Sequence, residues 1–238
     1  MDSASIISHV APSQIHLNQN NNKSHNEHDQ SSQDQILKQQ MYTESVADIV
    51  DYSKKPKQVF FLAKKWLKYC AQKYGGYSRI AVIFDIDETL LLAHKNDTHI
   101  THHPVGYLLY EYCRKHHIDI HLITARVGDN NSKEYVRDQL RRLGYEGYKS
   151  LYMVNSRHQD DATPALFKGK CRKTIARDSQ KTIALNVGDQ HTDIFADYDQ
   201  ISDDVKQLLS SETYYFLKVK DDYATMSLKF SSSKDCYE

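Results

Sequence analysis

The sequence lacks any surplus of charge: 31 Lys+Arg stand against 31 Asp+Glu, so the formal net charge is zero. A chain without positive excess does not hold a nucleic-acid backbone or an anionic membrane by charge alone, so neither surface is expected and partners must be recognised locally. It also lacks any run near the ~18 to 20 apolar residues that cross a bilayer. Its first residues, MDSASIISHVAPSQ, have neither the basic stretch nor the apolar segment that directs export. The reading is an intracellular, cytoplasmic protein with no membrane partner. Cysteine is scarce, and Cys70, Cys113, Cys171 and Cys236 are too far apart to suggest a zinc site or a disulfide framework, which leaves ordinary reduced thiols.

What is present falls into blocks. Residues 1–40 are dominated by Ser, Gln, Asn, His and Asp, as in QNNNKSHNEHDQSSQDQ, and offer too little apolar surface to offset the entropy of ordering; they read as a disordered tail. Residues 41–78 read as a helical cap or packing segment. From about Lys57, Val59, Leu62, Ala63, Trp66, Cys70 and Tyr74 recur at helical steps, and Gly75-Gly76 ends the run. Residues 79–230 read as the core and 231–238 as a short tail.

Within the core, IAVIF is a continuous apolar run of the kind buried on both faces of a parallel sheet, and it stops at Asp85. A helix is expected from Pro104, with Val105, Leu108, Leu109, Tyr112 and Cys113 in phase. The strand IDIHLI follows, ending at Thr124. A further helix runs from a capping region at Asn131/Ser132 through Val136, Leu140 and Leu143 to Gly144. LYMV and TIALNV read as strands, and YYFLKV as an edge strand. Strands alternating with helices predict an α/β fold with a doubly wound parallel sheet, in which ligands bind at the carboxyl ends of the strands. Asp85 and Asp87, Thr124, and Gly188-Asp189 all fall at such ends.

The string FDIDETLL, then ITAR, then FKGKCR, then GDQHTD, each placed at an expected loop, resembles the four motifs of the haloacid dehalogenase-like superfamily of phosphohydrolases. The DxDET form and the spacing from FKxxxR to GDQxxD are similar to its acid phosphatase branch, which includes the class B and plant acid phosphatases and the vegetative storage proteins. The likeness covers roughly Arg79 to Asp197. It implies a Rossmann-like core with a small helical cap element and no large cap domain; too few residues separate Thr124 from Lys168 to hold one.

The resemblance also implies roles. Asp85 would be the nucleophile that forms an aspartyl-phosphate, and Asp87 the general acid and then base. The Asp85 carboxylate, the Asp87 backbone carbonyl and the Asp189 carboxylate would hold Mg²⁺, a hard cation suited to oxygen ligands. Asp193 would be a ligand through water or an orienter of the others. Thr124 and Ala125 would bind phosphate. Lys168 would clamp it, with Lys170 and Lys173 as competitors. Arg172 would support that segment, Arg126 would line the pocket or pair with an acid, and Glu88 and Thr89 would fix the turn.

Three departures from the family pattern stand out. No export signal is present, His191 replaces the usual aromatic after GDQ, and FLKVKDD takes the place of a proline-containing FKLPNP-type segment. The His-rich stretch before Pro104 reads as a mobile, solvated rim, although His102 and His103 could touch a substrate. The expected activity is hydrolysis of a small phosphorylated metabolite or nucleotide. The alternatives are a phosphotransferase or protein phosphatase using the same residues, and a binding or storage protein that has lost catalysis.

Overall fold

The computed structural model describes residues 50–51, 56–93, 100–155, 163–195, 215–217 and 226–230. The expected tails at 1–40 and 231–238 lie outside the described residues, as do Cys236 and most of the His-rich stretch.

In chain order the elements are β1 (Val50–Asp51), α1 (Pro56–Tyr74), a 3-10 turn (Tyr77–Arg79), β2 (Ile80–Phe84), β3 (Leu91–Ala93), β4 (Ile100–His102), α2 (Pro104–Lys115), β5 (Asp119–Gly128) and α3 (Asn130–Arg142). They continue with β6 (Ser150–Asn155), α4 (Pro164–Asp178), β7 (Thr182–Gly188), the short α5 (His191–Ile194), β8 (Tyr215–Leu217) and β9 (Ser227–Lys229). The main sheet has the order β1-β8-β9-β7-β2-β5-β6. β9, β7, β2, β5 and β6 are mutually parallel, and β8 and β1 add antiparallel pairings at one side. This is the expected doubly wound α/β architecture, without a large cap domain among the described residues.

β2 is buried along its whole length because helices cover both faces. Ile80, Val82 and Phe84 face one way, into a cluster with Val59, Ala63, Leu67 and Cys70 of α1, Val105, Leu109 and Cys113 of α2, and Val136 and Leu140 of α3. Ile83 faces the other way, with Ile123 and Ile183, against Phe167, Cys171 and Ile175 of α4. The alternation is the two-residue period of a strand expressed as two cores. Cys70, Cys113 and Cys171 are buried free thiols. No helix among the described residues is long and apolar enough to cross a membrane.

Several expectations are corrected. On α1 the fully buried positions include Leu67 and Ala71, whereas Leu62, Trp66 and Tyr74 sit half-buried at its margin, where Trp66 Nε1 donates to the Ala184 carbonyl at 2.8 Å. On α2, Leu108 is exposed and Tyr110 takes its place inside. β5 does not end at Thr124 but runs on to Gly128. The cap of α3 is Asp129, whose side chain accepts from Ser132 N. FKGKCR is not a loop but two turns of α4. β8 is not an edge: it pairs with β1 on one side and β9 on the other. The strand beside β7 is β9, with the sequence SLK, so Ser227–Phe230 lie next to the end of β7, while most of FLKVKDD falls outside the described residues.

The stretch before Pro104 is likewise no solvated rim where it is described. His102 closes the β3–β4 hairpin, and His103 is fully buried, capping α2 by accepting from Gly106 N at 3.1 Å and stacking on Phe230 at 4.4 Å. Burial drives the His103 pKa down to about 3, so it serves as a neutral core residue. The first turn of α2 also braces the DxDET turn, because Gly106 packs directly under the Thr89 carbonyl. A Cβ at Gly106 would lie 1.9 Å from that oxygen.

Gly106→Ala is therefore expected to destabilise the protein by roughly 1 to 3 kcal/mol, an overpacking cost, although alanine is the better helix former by about 1 kcal/mol. Chemical denaturation of the variant reads the sign directly.

Candidate active site

Three strand ends and one helix build the site. β2 delivers Asp85, whose backbone N–H donates to the Val187 carbonyl at 2.9 Å, locking the strand end to β7. The chain then turns sharply. Glu88 adopts φ of 52°, in the left-handed region, and donates its N–H to the Leu91 carbonyl at 2.7 Å. That turn separates the two acids. Asp85 is buried at 5% exposure, while the Asp87 side chain is half exposed on the other side of the turn.

Lys168 reaches Asp85 from α4. Its Nζ donates to Asp85 Oδ1 at 2.6 Å and also to Asp193 Oδ1, and all three side chains are almost fully buried. Lys170 and Lys173 are exposed on the outer side of the same helix. Burial alone would lower the Lys168 pKa, but the carboxylates of Asp193 and Asp85 outweigh it and raise the value, holding the ammonium charged.

Asp189 follows β7, and Asp193 lies one turn further on in α5. The backbone N–H of Gln190 donates to Asp193 Oδ2 at 2.8 Å, and the Gln190 amide donates to Asp189 Oδ2 at 2.5 Å. Arg172 is buried and holds the same turn by its backbone, donating to the Asp193 carbonyl at 2.7 Å and the Ile194 carbonyl at 3.4 Å; Asn186 also donates to the Asp193 carbonyl. Gly188 is required here, because a Cβ would fall 2.2 Å from Asp193 Cβ.

One carboxylate oxygen from each of Asp85, Asp189 and Asp193 lies within 4.8 Å of the other two. Three buried acids repel one another and are poorly hydrated. Burial, then the Asp193 carboxylate, push Asp85 well above the usual carboxylate range despite Lys168, and the same two causes push Asp189 up to about 7. A convergent set of hard oxygen donors that repel each other fits a hard divalent cation, which would relieve the repulsion. Of the expected residues, Asp85 and Asp189 are in this cluster together with Asp193, and the Asp87 side chain lies outside it.

That side chain faces β5. Arg126 Nε donates to Asp87 Oδ1 and Oδ2 at 3.1 and 2.9 Å, and Arg126 Nη2 donates to Oδ1 at 2.6 Å. Thr124 Oγ1 donates to Asp87 Oδ2 at 3.4 Å and accepts from Arg126 N at 3.2 Å. The local cause is an irregularity in β5. Thr124 pairs with Met153 and Val127 with Val154, so Ala125 and Arg126 are extra residues relative to β6. A bulge re-aims side chains next to a site, and here it turns Arg126 over Asp87, where Gln139 of α3 also holds it at 2.6 Å.

Sequence reasoning missed Lys229. It lies in β9 as the register partner of Gly188, is buried at 2% exposure, and donates from Nζ to the Phe230 carbonyl at 3.1 Å. Burial lowers its pKa, an effect that the nearby Asp189 and Asp193 carboxylates oppose only in part, so a second basic side chain lies beside the acidic cluster. A three-residue strand is too short for periodicity to reveal, and a lysine inside it reads as solvent-facing.

No protein-family model matches the chain, and no curated protein does. Among solved structures, the chain is similar to the class C acid phosphatase from Bacillus anthracis, with 16% identity over 67% of this chain and 70% of that one and a TM-score of 0.41.

Lys168→Met is expected to cost about 3 to 5 kcal/mol, the range for removing one member of a buried ion pair. Lys170→Met, on the exposed side of α4, is expected to change stability by less than about 0.5 kcal/mol. Paired urea titrations of the two variants check both.

Proposed function

We propose that the protein is a phosphomonoesterase that works through Asp85 and takes a small phosphorylated metabolite or nucleotide. The observation that carries the reading is the pairing of Asp85, buried against Lys168, with Asp87 two residues away on the far side of a sharp turn. One carboxylate is shielded and charge-compensated as a nucleophile must be, while the other is exposed where a leaving group can meet it. The motif order noted in the sequence supports the same reading.

Lys168 engages Asp85 Oδ1, so Oδ2 is the attacking atom. In the first step Oδ2 bonds to phosphorus, the ester P–O bond breaks, and Asp87 gives its proton to the departing alcohol oxygen. In the second, water attacks the phosphorus of the aspartyl-phosphate, Asp87 takes the proton from that water, and inorganic phosphate leaves with Asp85 restored. Thr124, Ala125 and Lys168 donate to the phosphoryl oxygens, and Arg126 with Thr124 orients Asp87. Mg²⁺ held by Asp85, Asp189 and the Asp87 backbone carbonyl, with Asp193 beside it, would neutralise charge between phosphate and nucleophile. A storage or binding protein has no need of a buried acid held in this way.

Hydrolysis of para-nitrophenyl phosphate by the purified protein is expected to require Mg²⁺, to stop with chelator, and to fall at least about 10³-fold in Asp85→Asn. Wild-type turnover in that variant would refute the assignment.

Cation binding carries a pH signature. Asp189 must release its proton to serve as a ligand, and its pKa is raised to about 7. Mg²⁺ affinity is therefore expected to weaken as pH falls below 7, by up to about tenfold per pH unit for the Asp189 proton. Calorimetric titrations at pH 6, 7 and 8 check this, and in Asp189→Asn the dependence should flatten.

A further inference from the structure

A cavity of about 290 Å³ opens between the end of β5, the end of β6 and the first turn of α3, lined by Asp129, Asn130, Asn131, Lys133, Met153 and Asn155. Nothing in the reaction described above uses it. We infer that this cavity receives the alcohol portion of the substrate, and that it selects a hydroxyl-rich leaving group of sugar or polyol type over an aryl one. The inference rests on the phosphomonoesterase reading and deepens it.

Position comes first. The leaving oxygen must lie beside Asp87, because Asp87 supplies its proton. Thr124 lies against Asp87, its hydroxyl 3.4 Å from Oδ2, and the cross-strand partner of Thr124 is Met153, which lines the cavity. Adjacent strands are about 4.8 Å apart, so the cavity begins one strand spacing from Thr124, the residue that lies against Asp87. A group attached to that oxygen and extending along the carboxyl edge away from Asp85 enters it.

Chemistry comes second. Three of the lining side chains are carboxamides, a group that carries both N–H donors and a carbonyl acceptor, and a hydroxyl both donates and accepts. Neighbouring hydroxyls on one carbon skeleton match such a set. Lys133 adds a further donor. Asp129 does not oppose this, since its Oδ1 already accepts from Ser132 N at 3.0 Å and Ser132 Oγ at 3.1 Å as the cap of α3. Met153 is the one long apolar side chain of the lining, and none of the lining residues is aromatic, so a phenyl ring gains no stacking there. The volume is just under the range for small-molecule sites, ~300–1,000 Å³, which fits a single small polyol.

The test compares kcat/KM for ribose 5-phosphate and glucose 6-phosphate with that for para-nitrophenyl phosphate, in wild type and in an Asn131→Ala, Asn155→Ala double variant whose folding is verified by thermal melting. The expected result is that wild type favours a sugar phosphate, and that the ratio of sugar-phosphate to aryl-phosphate kcat/KM falls at least tenfold in the double variant, through KM rather than kcat. A preference for the aryl ester, or a ratio the double variant leaves unchanged, overturns the inference. Should wild type hydrolyse none of the three esters, the phosphomonoesterase reading itself fails. The cavity is then judged by calorimetric binding of ribose 5-phosphate to Asp85→Asn protein: tenfold weaker binding on adding the two alanines supports it, and equal binding rejects it.

Discussion

The ammonium of Lys168, held between Asp85 and Asp193 away from water, is the interaction on which the rest of the site depends. It joins α4 on one face of the sheet to the end of β2 and to the turn after β7. Taking such charges out of water costs several kcal/mol each, and the attraction between them recovers this only when geometry and further hydrogen bonds are good. The protein supplies those bonds. Gln190 N–H satisfies the second oxygen of Asp193, while Arg172 and Asn186 fix its backbone. Asp85, Asp189 and Asp193 are balanced by Lys168, Arg172 and Lys229, all six buried. Apolar residues of similar volume would stabilise a fold at least as well. A buried, mutually repelling set of acids is thus not explained by fold stability, and it accords with the proposed reaction.

Backbone devices make this charge cluster possible. Gly188 leaves room for the Asp193 side chain, Glu88 accepts a left-handed conformation that turns the chain back after Asp87, and Gly106 lets α2 press against the Thr89 carbonyl from behind. The bulge at Ala125 and Arg126 performs the complementary task on β5. These devices lie together around the carboxyl edge. The opposite edge carries ordinary ion pairs, such as Lys181 with Asp119 at 2.5 Å.

How much of this the sequence displayed follows from how local each signal is. IAVIF and TIALNV are long enough, and apolar enough, to announce buried strands, and Asp85 and Asp189 could be placed just past strand ends from those runs alone; Thr124 was expected to end the strand IDIHLI, which instead runs on to Gly128. Lys168 was legible only through the resemblance of FKGKCR, and the segment was misplaced in a loop, because a helix of low amphipathicity with a buried lysine shows no clean stripe. β1, β3, β4, β8 and β9 have two or three residues each and owe their form to pairing partners distant in sequence. His103, polar by type, was expected in a solvated loop and is buried, and Lys229, in one of these short strands, was not singled out at all. Arg126 was left between two roles, since the bulge that aims it at Asp87 exists only in register with β6.

Topology explains why residues so far apart in sequence meet. From β2 the chain moves outward to β5 and β6 on one side, then α4 carries it back across the sheet to β7 on the other side of β2. Right-handed connections in opposite directions must lie on opposite faces, which is why α2 packs with one core and α4 with the other. At such a reversal the loops at the carboxyl ends of the two flanking strands part and leave a crevice. β2 and β7 are those strands, and they end in Asp85 and Asp189. The returning helix passes beneath the crevice, so a lysine in its second turn meets an acid 83 residues earlier without any special loop. β5, on the outward path, brings Thr124 and Arg126 to the adjoining side, and the cavity beyond them continues along the same edge. The site is thus where the winding of the sheet opens the structure, and its charged residues are the ones that topology brings to that opening.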